Sequence, residues 1–140
     1  MARVEAYREL VTARAGGACE YCRLLQFVAG VTFHIEHIMP RVVGGKTAMN
    51  NLALSCPGCN LAKASRTSGE DQRGETQPLF SPRDYEPWLL GWHLNFALDR
   101  ESGRIVARTP IGEATLRTLN MNDPRRVFAR KLQILAGLIA

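Results

Sequence analysis

Two histidines and a glutamate stand close together in the stretch FHIEHIMPRVVGG, residues 33–45. His34, Glu36 and His37 place one carboxylate between two imidazoles within four positions. Imidazoles and carboxylates bind metal ions, and they also transfer protons near neutral pH. The stretch therefore predicts a metal site or an acid–base site, unless it is only the polar end of a strand.

Four cysteines form two C-x₂-C pairs on either side of this stretch: Cys19, Cys22, Cys56 and Cys59. Two such pairs supply four thiolates to a tetrahedral site, for which Zn²⁺ is the usual ion. Two disulfides would require an oxidising compartment, a redox dithiol needs only one pair, and iron in a similar cage is the alternative metal. Because four thiolates leave no position open for a substrate, this zinc is predicted to be structural.

Several short motifs follow one another within residues 19–66. They are Cys19-Glu-Tyr-Cys22, Glu36-His37-Ile38-Met39-Pro40, Gly44-Gly45, Asn51-Leu52, and Cys56-Pro-Gly-Cys59-Asn60 with Lys63. Their order and spacing resemble the HNH endonuclease family, in the zinc-containing branch of the ββα-metal nucleases. The family usually has Asp where this chain has Glu36, and some members have His where it has Asn60. Both residues present here offer an oxygen ligand.

The resemblance implies metal-dependent hydrolysis of DNA phosphodiester bonds. His37 is then the general base that activates water, a role that a neutral imidazole can perform at neutral pH. The resemblance assigns Asn51 to orient His37, while Glu36 and Asn60 would hold one Mg²⁺ or Mn²⁺ ion. His34 is ambiguous, because it could bind the metal, contact phosphate or only support Glu36.

The charge of the chain is a weak pointer to nucleic acid. The formal net charge is +5 over 140 residues, and one Zn²⁺ with four thiolates would reduce it to about +3. The basic excess lies in residues 1–66, the part with the unusual motifs. We expect DNA, double-stranded, as the partner, with phosphate contacts from Lys46, Lys63 and Arg66. Oligomeric state is not readable from the sequence.

The elements around the site follow from hydrophobic periodicity. Residues 2–15 predict an amphipathic helix that ends at Gly16-Gly17. Residues 24–38 predict two short strands about Gly30, residues 51–56 a return strand, and residues 57–66 a turn that opens into a helix. Strict alternation puts Glu36 and His37 on opposite faces of a strand, so we expect the strand to depart from ideal geometry at these two residues.

The remaining sequence predicts a separate set of elements. Residues 67–78 are polar throughout and predict a linker. Beyond it, alternation of Trp92, Leu94, Phe96 and Leu98 predicts a strand, and residues 104–109 would complete a hairpin. Thr109-Pro110 and Asp123-Pro124 predict two helix starts. On the last helix, one apolar stripe is expected to oppose a polar face: Val127, Phe128, Leu132, Leu135 and Ile139 against Arg126, Arg130 and Gln133.

The predicted fold class is α+β. An N-terminal helix precedes a zinc-stapled ββα core in residues 1–66, and residues 79–140 add a β-hairpin and two helices that pack on the core. MARVEAYREL lacks the apolar segment of a signal peptide, and LQILAGLIA is too short to span a bilayer, so we expect a cytoplasmic protein.

Two functions other than cleavage also fit this pattern. One is a zinc-stabilised nucleic-acid-binding module without cleavage activity. The other is a zinc scaffold for protein contacts through the terminal helix and the region of Trp88 and Trp92.

Overall fold

The computed structural model describes residues 3–139, which form a mixed fold of helices and three separate two-stranded antiparallel sheets. The predicted α+β class is confirmed. The ββα core consists of β1, β2 and α3. In chain order the helices and strands are α1 Arg8–Ala15, α2 Gln26–Ala29, β1 His34–His37, β2 Leu52–Ser55, α3 Pro57–Lys63, β3 Ser68–Glu70, β4 Thr76–Pro78, α4 Trp88–Asn95, β5 Phe96–Leu98, β6 Ile105–Ala107, α5 Pro110–Thr118 and α6 Pro124–Leu135.

The N-terminal helix is close to its prediction. A 3₁₀ turn over Val4–Tyr7 leads into α1, and Gly16 ends the helix in the left-handed conformation with a φ of 66°. Ala2, the first residue of the predicted helix, lies outside the described residues. The buried side chains of Val11 and Ala15 belong to the hydrophobic core, and α1 packs against β2.

The first of the two strands predicted about Gly30 is wrong. Residues 26–29 form the single helical turn α2, and Gly30 ends it with a φ of 73°. An isolated bridge pairs Ala18 with Leu25 across the first cysteine pair. The Gln26 side chain then accepts the backbone N–H of Phe33 at 2.7 Å, which closes residues 26–33 into a compact loop. These local contacts take the place of strand pairing.

The β1–β2 hairpin places the catalytic candidates. Its antiparallel register pairs His34 with Ser55 and His37 with Leu52. Helix α3 contacts β1, and helix α1 contacts β2. Ile35 and Glu36 are both buried although they are sequence neighbours, whereas His34 at the start of β1 is exposed. The middle of β1 is therefore buried on both faces, which alternation alone did not predict.

Residues 67–78, predicted as a linker, form the hairpin β3–β4, which packs on α5. Asp71 stabilises the turn by accepting the backbone N–H groups of Arg73 and Glu75 at 2.9 and 3.0 Å. Gly69 lies so close to α5 that an added Cβ would clash with the side chain of Thr118. Hydrogen bonds and close glycine packing therefore anchor this segment without apolar side chains.

The prediction of one strand across residues 92–98 is wrong for its first half, which forms the end of helix α4. Helix α4 begins after Pro87 and places Trp88, Trp92 and Asn95 on its buried side, and the chain becomes β5 only at Phe96. The alternating pattern was misleading because the buried side of α4 follows the helical spacing of Trp88, Trp92 and Asn95, whereas Leu94 is 48% exposed. Since Trp88 and Trp92 are buried, they offer no surface for the protein contacts considered above.

The hairpin β5–β6 and both predicted helix starts are present. The Thr109 side chain accepts the backbone N–H of Gly112 at the start of α5, and Asp123 accepts that of Arg125 at the start of α6. These caps are local interactions, which explains why the sequence predicts them.

The predicted faces of α6 are reversed over most of the helix. Arg130 is 0% exposed and Gln133 is buried, whereas Phe128 is 63% and Leu135 is 71% exposed. Ile139, which follows the end of the helix, is buried as predicted. The buried polar side chains have partners: Gln133 accepts the backbone N–H of Leu25 at 2.9 Å, and the Arg130 guanidinium donates to several carbonyl oxygens. Helix α6 therefore packs on the core through hydrogen bonds.

Of the helices in residues 3–139, none is both long and apolar enough to cross a lipid bilayer.

Candidate active site and metal centre

The two C-x₂-C pairs meet in one buried cluster. The four sulfur atoms lie within 4.8 Å of one another, and the cysteines form no disulfide. Sulfur atoms around a Zn²⁺ ion with 2.3 Å bonds would be about 3.8 Å apart, and Cys22 Sγ is 3.5 Å from Cys56 Sγ. The cluster fits a tetrahedral zinc ion, as the sequence predicted.

Each C-x₂-C turn positions its first sulfur through the backbone. The N–H of Cys22 lies 3.4 Å from Cys19 Sγ, and the N–H of Cys59 lies 3.4 Å from Cys56 Sγ. Burial raises the pKa of the Cys19 and Cys59 thiols. A bound cation would hold all four groups as thiolates in this buried place.

Three of the predicted catalytic residues line one cavity. Glu36 and His37 reach it from β1, and Asn60 reaches it from the first turns of α3. The cavity has a volume of about 270 Å³ and is closed on its loop side by Pro40 and Arg41. Thus Glu36 and His37, which ideal alternation would separate, meet at the end of the strand.

Glu36 is almost completely buried, with 6% of its surface exposed. Its Oε1 accepts a hydrogen bond from the Tyr21 hydroxyl at 3.2 Å and pairs with Lys63 Nζ at 2.8 Å. Burial raises the pKa of this carboxyl, and the Lys63 charge offsets only part of that effect. In the described part of the chain Oε2 is buried without a hydrogen-bond partner, an arrangement that fits a cation ligand.

His37 is half-buried, and its Nε2 lies 2.8 Å from the hydroxyl oxygen of Thr47. Burial lowers the pKa of His37, and the nearby charge of Arg41 lowers it further. Both effects favour the neutral imidazole, the form that can accept a proton.

Asn51 does not orient the His37 ring as the resemblance implied. Its side chain accepts the backbone N–H of Met39 at 2.8 Å and donates to the carbonyls of Met39 and Lys46 at 3.0 and 2.9 Å. Its own carbonyl accepts the N–H of Ile38 at 2.9 Å. Asn51 therefore holds the loop that follows His37, and its effect on the ring is indirect.

The three predicted phosphate contacts divide into two groups. Lys63 is only 2% exposed, and its ammonium donates to Ile38 O at 3.0 Å besides pairing with Glu36. This burial does not favour the predicted contact of Lys63 with phosphate, because α3 turns the side chain into the core. Lys46 and Arg66 are exposed, and Arg66 Nη1 donates to Ala62 O.

His34, the ambiguous residue, is exposed. It is the first residue of β1, opposite Ser55, and it is not among the residues that line the cavity.

Sequence reasoning missed three residues that contribute to this site: Tyr21, Arg41 and Thr47. Tyr21 lies between two metal ligands, a position that gives no hint of its hydroxyl reaching β1. Arg41 and Thr47 are in a loop without periodicity, where only the folded chain shows which side chains lie near His37.

The segment that carries this geometry is recognised by family comparison. Residues 19–66 match the family model described as HNH endonuclease, which confirms the resemblance over the same range. This range contains both cysteine pairs, β1, β2 and α3. Comparisons with curated proteins and with solved structures find no significant match to the chain.

Proposed function

We propose that this protein is a metal-dependent endonuclease that hydrolyses DNA phosphodiester bonds. The observation that carries the proposal is the shared cavity of Glu36, His37 and Asn60 within the segment that matches the HNH endonuclease model. A base, an unpaired carboxylate oxygen and an amide meet there, which are the groups that phosphodiester hydrolysis requires.

His37 acts as the general base through Nδ1. A neutral imidazole has one N–H and one lone pair, so the partner of one nitrogen fixes the role of the other. When Nε2–H donates to the Thr47 hydroxyl, the lone pair lies on Nδ1 and accepts the proton of the attacking water. A positioned base of this kind contributes roughly 10²–10⁴-fold to the rate.

Glu36 and Asn60 would hold the catalytic cation, and their oxygen atoms suit Mg²⁺ or Mn²⁺. When bound, such an ion neutralises phosphate charge and helps the leaving oxygen depart. Arg41 lines the same cavity and would contact the phosphate being cleaved. The exposed Lys46 and Arg66 would contact neighbouring phosphates of the DNA.

Cleavage of supercoiled plasmid by the full chain tests this proposal. With Mg²⁺ or Mn²⁺ we expect nicked or linear product, and with a chelator none. His37→Ala should lower the rate by about 10²–10⁴-fold while zinc content and thermal stability stay unchanged. His93→Ala, which removes an exposed imidazole on α4, serves as the matched control. Unchanged cleavage by His37→Ala would refute the assignment of the base.

A nucleic-acid-binding module without cleavage remains the second candidate. The pairing of Glu36 with buried Lys63 favours it, because a catalytic cation must compete with an ammonium group already in place. DNA binding without cleavage in Mg²⁺, Mn²⁺, Co²⁺ or Ni²⁺ would establish this candidate and exclude the first.

A further inference from the structure

Helix α6 buries two arginines beside the metal centre. Arg130 is completely buried, and Arg126 is partly buried. Within residues 3–139 no carboxylate forms an ion pair with either side chain. A buried guanidinium without a counter-charge is strongly unfavourable, so the negative charge must come from another group.

The cysteine cluster is the group within reach. Arg126 Nη1 lies 3.0 Å from Cys59 Sγ, and Arg130 Nη1 donates to the backbone carbonyl of Cys22 at 3.2 Å. Arg126 therefore contacts a sulfur atom of the second C-x₂-C pair, and Arg130 contacts the backbone of the first pair. Four thiolates around one Zn²⁺ carry a formal net charge of minus two, which two guanidinium groups balance.

We propose that Arg126 and Arg130 are the counter-charges of the four-cysteine metal centre and that they fasten α6 to its two C-x₂-C turns. The pairing explains the reversed faces of α6, because the polar side of this helix turns toward the metal ligands. It also relates two parts of the chain that lie far apart in sequence.

The neighbouring backbone is built to admit these side chains. A Cβ on Gly58 would lie 2.9 Å from Arg126 Nε, so this glycine between the second pair of ligands leaves room for the guanidinium. Arg126 Nη2 donates to Leu119 O at 2.8 Å, and Arg130 Nε donates to Gly103 O at 2.6 Å. The other N–H groups of these two guanidinium groups thus donate to carbonyl oxygens, which carry no net charge. The thiolates are therefore the anions that balance the two arginines.

The pairing makes the packing of α6 depend on the metal. The two guanidinium groups contact the C-x₂-C turns that the ion would hold together, so loss of the ion would loosen the turns on which α6 packs. Conversely, removal of a guanidinium group leaves the negative charge of the thiolates unbalanced. It also removes a side chain that shields the cysteine cluster from solvent. The metal centre and α6 therefore stabilise each other.

Zinc transfer from the full chain to a chromophoric chelator tests the proposal independently of cleavage. Arg126→Met keeps much of the side-chain length and removes the charge, so we expect zinc release about tenfold faster or more. Arg126→Lys keeps the charge but lacks the planar guanidinium group. Its rate of zinc release should lie between those of the wild type and Arg126→Met. The matched control is Arg125→Met on the exposed side of α6, which should release zinc at the wild-type rate.

Amide hydrogen exchange on the zinc-loaded proteins provides the second measurement. Arg126→Met should speed exchange in residues 124–135 and leave α1 unchanged. Should Arg126→Met not fold, the same comparison is made with Arg126→Lys. Zinc release and α6 exchange equal to those of Arg125→Met would overturn the proposal, whatever the result of the DNA cleavage assay.

Discussion

At the residue scale, the proposed role of His37 as the base depends on its contact with Thr47, because a ring that donates from Nε2 keeps its lone pair on Nδ1. Thr47→Val keeps the shape of the side chain and removes its hydroxyl. The imidazole then loses the group that fixes its tautomer, and we expect cleavage to slow by about 10–100-fold. Cleavage rates at saturating DNA measure this effect.

Thr47→Ser is the control for that experiment, because it restores a hydroxyl at the same position. It should regain most of the wild-type rate, while both variants keep full zinc content. Equal rates for Thr47→Val and the wild type would mean that the ring is held by other contacts.

His34 provides a second prediction at this scale, on the identity of the cation ligands. Because His34 is exposed and lies outside the cavity, we expect His34→Ala to cleave DNA with Mg²⁺ nearly as well as the wild type. Glu36→Gln should be almost inactive with every metal, since it removes the anionic ligand. Rates with Mg²⁺, Mn²⁺, Co²⁺ and Ni²⁺ compare the two variants. A shift of His34→Ala toward Mg²⁺ would instead identify a nitrogen ligand.

Residue types and spacing were enough to bring Glu36, His37 and Asn60 together in prediction, but not to predict the direction of every side chain. Lys63 shows the limit. A lysine near the end of a short helix is usually solvated, and only the packing of α3 on β1 makes it a buried partner of Glu36. Asn51 shows the same limit, because its partners in the loop are set by the path of the chain after Pro40.

At the scale of elements, the second cysteine pair joins the cysteine cluster to helix α3, which carries Asn60. Cys56 is the N-cap residue of α3, where its sulfur accepts the N–H of Cys59, and Pro57 occupies the first helical position. Asn60 follows one turn later and lines the cavity. Loss of the metal would therefore disturb the start of the helix that carries a catalytic candidate.

Cys56→Ser separates the two roles of that residue, because serine is a good N-cap but a poor zinc ligand. We expect about one zinc per chain in the wild type and a large loss of zinc and thermal stability in the variant. Elemental analysis and thermal melts, each with and without chelator, measure both. A structural role for zinc would be contradicted if Cys56→Ser melted at the wild-type temperature and if chelator changed the melting temperature of neither protein.

Elements with local signals were predictable, and elements set by tertiary packing were not. The starts of α5 and α6 follow from Thr109-Pro110 and Asp123-Pro124, whose caps involve only neighbouring residues. The hairpin of residues 67–78 has no apolar signal because it is held by the hydrogen bonds of Asp71 and by packing on α5. The orientation of α6 depends on acceptors far away in sequence, which its own periodicity cannot reveal.

At the scale of the whole molecule, residues 3–66 and 79–139 share one interior. Trp92 Nε1 donates to Tyr21 O at 2.7 Å, and the Tyr21 and Phe80 rings pack edge to face with centroids 6.4 Å apart. Arg83 forms an ion pair with the fully buried Glu20. The boundaries of the two predicted parts stay a prediction, and these contacts indicate that each part completes the other.

This shared interior predicts that a fragment of residues 1–66 does not fold stably even when zinc is supplied. The fragment would expose the apolar surface around Tyr21 and leave the buried carboxylate of Glu20 without Arg83, two changes that each disfavour the folded state. Circular dichroism melts and amide NMR spectra of the zinc-loaded fragment, compared with the full chain, measure the effect.

In the full chain, Trp92→Ala should lower the free energy of unfolding by about 3–5 kcal/mol, because it removes the contact of Trp92 with Tyr21. A fragment that melts cooperatively near the full-chain temperature, together with a Trp92→Ala variant of unchanged stability, would show instead that the HNH-matching segment has a self-sufficient core and that α4 is only attached to it.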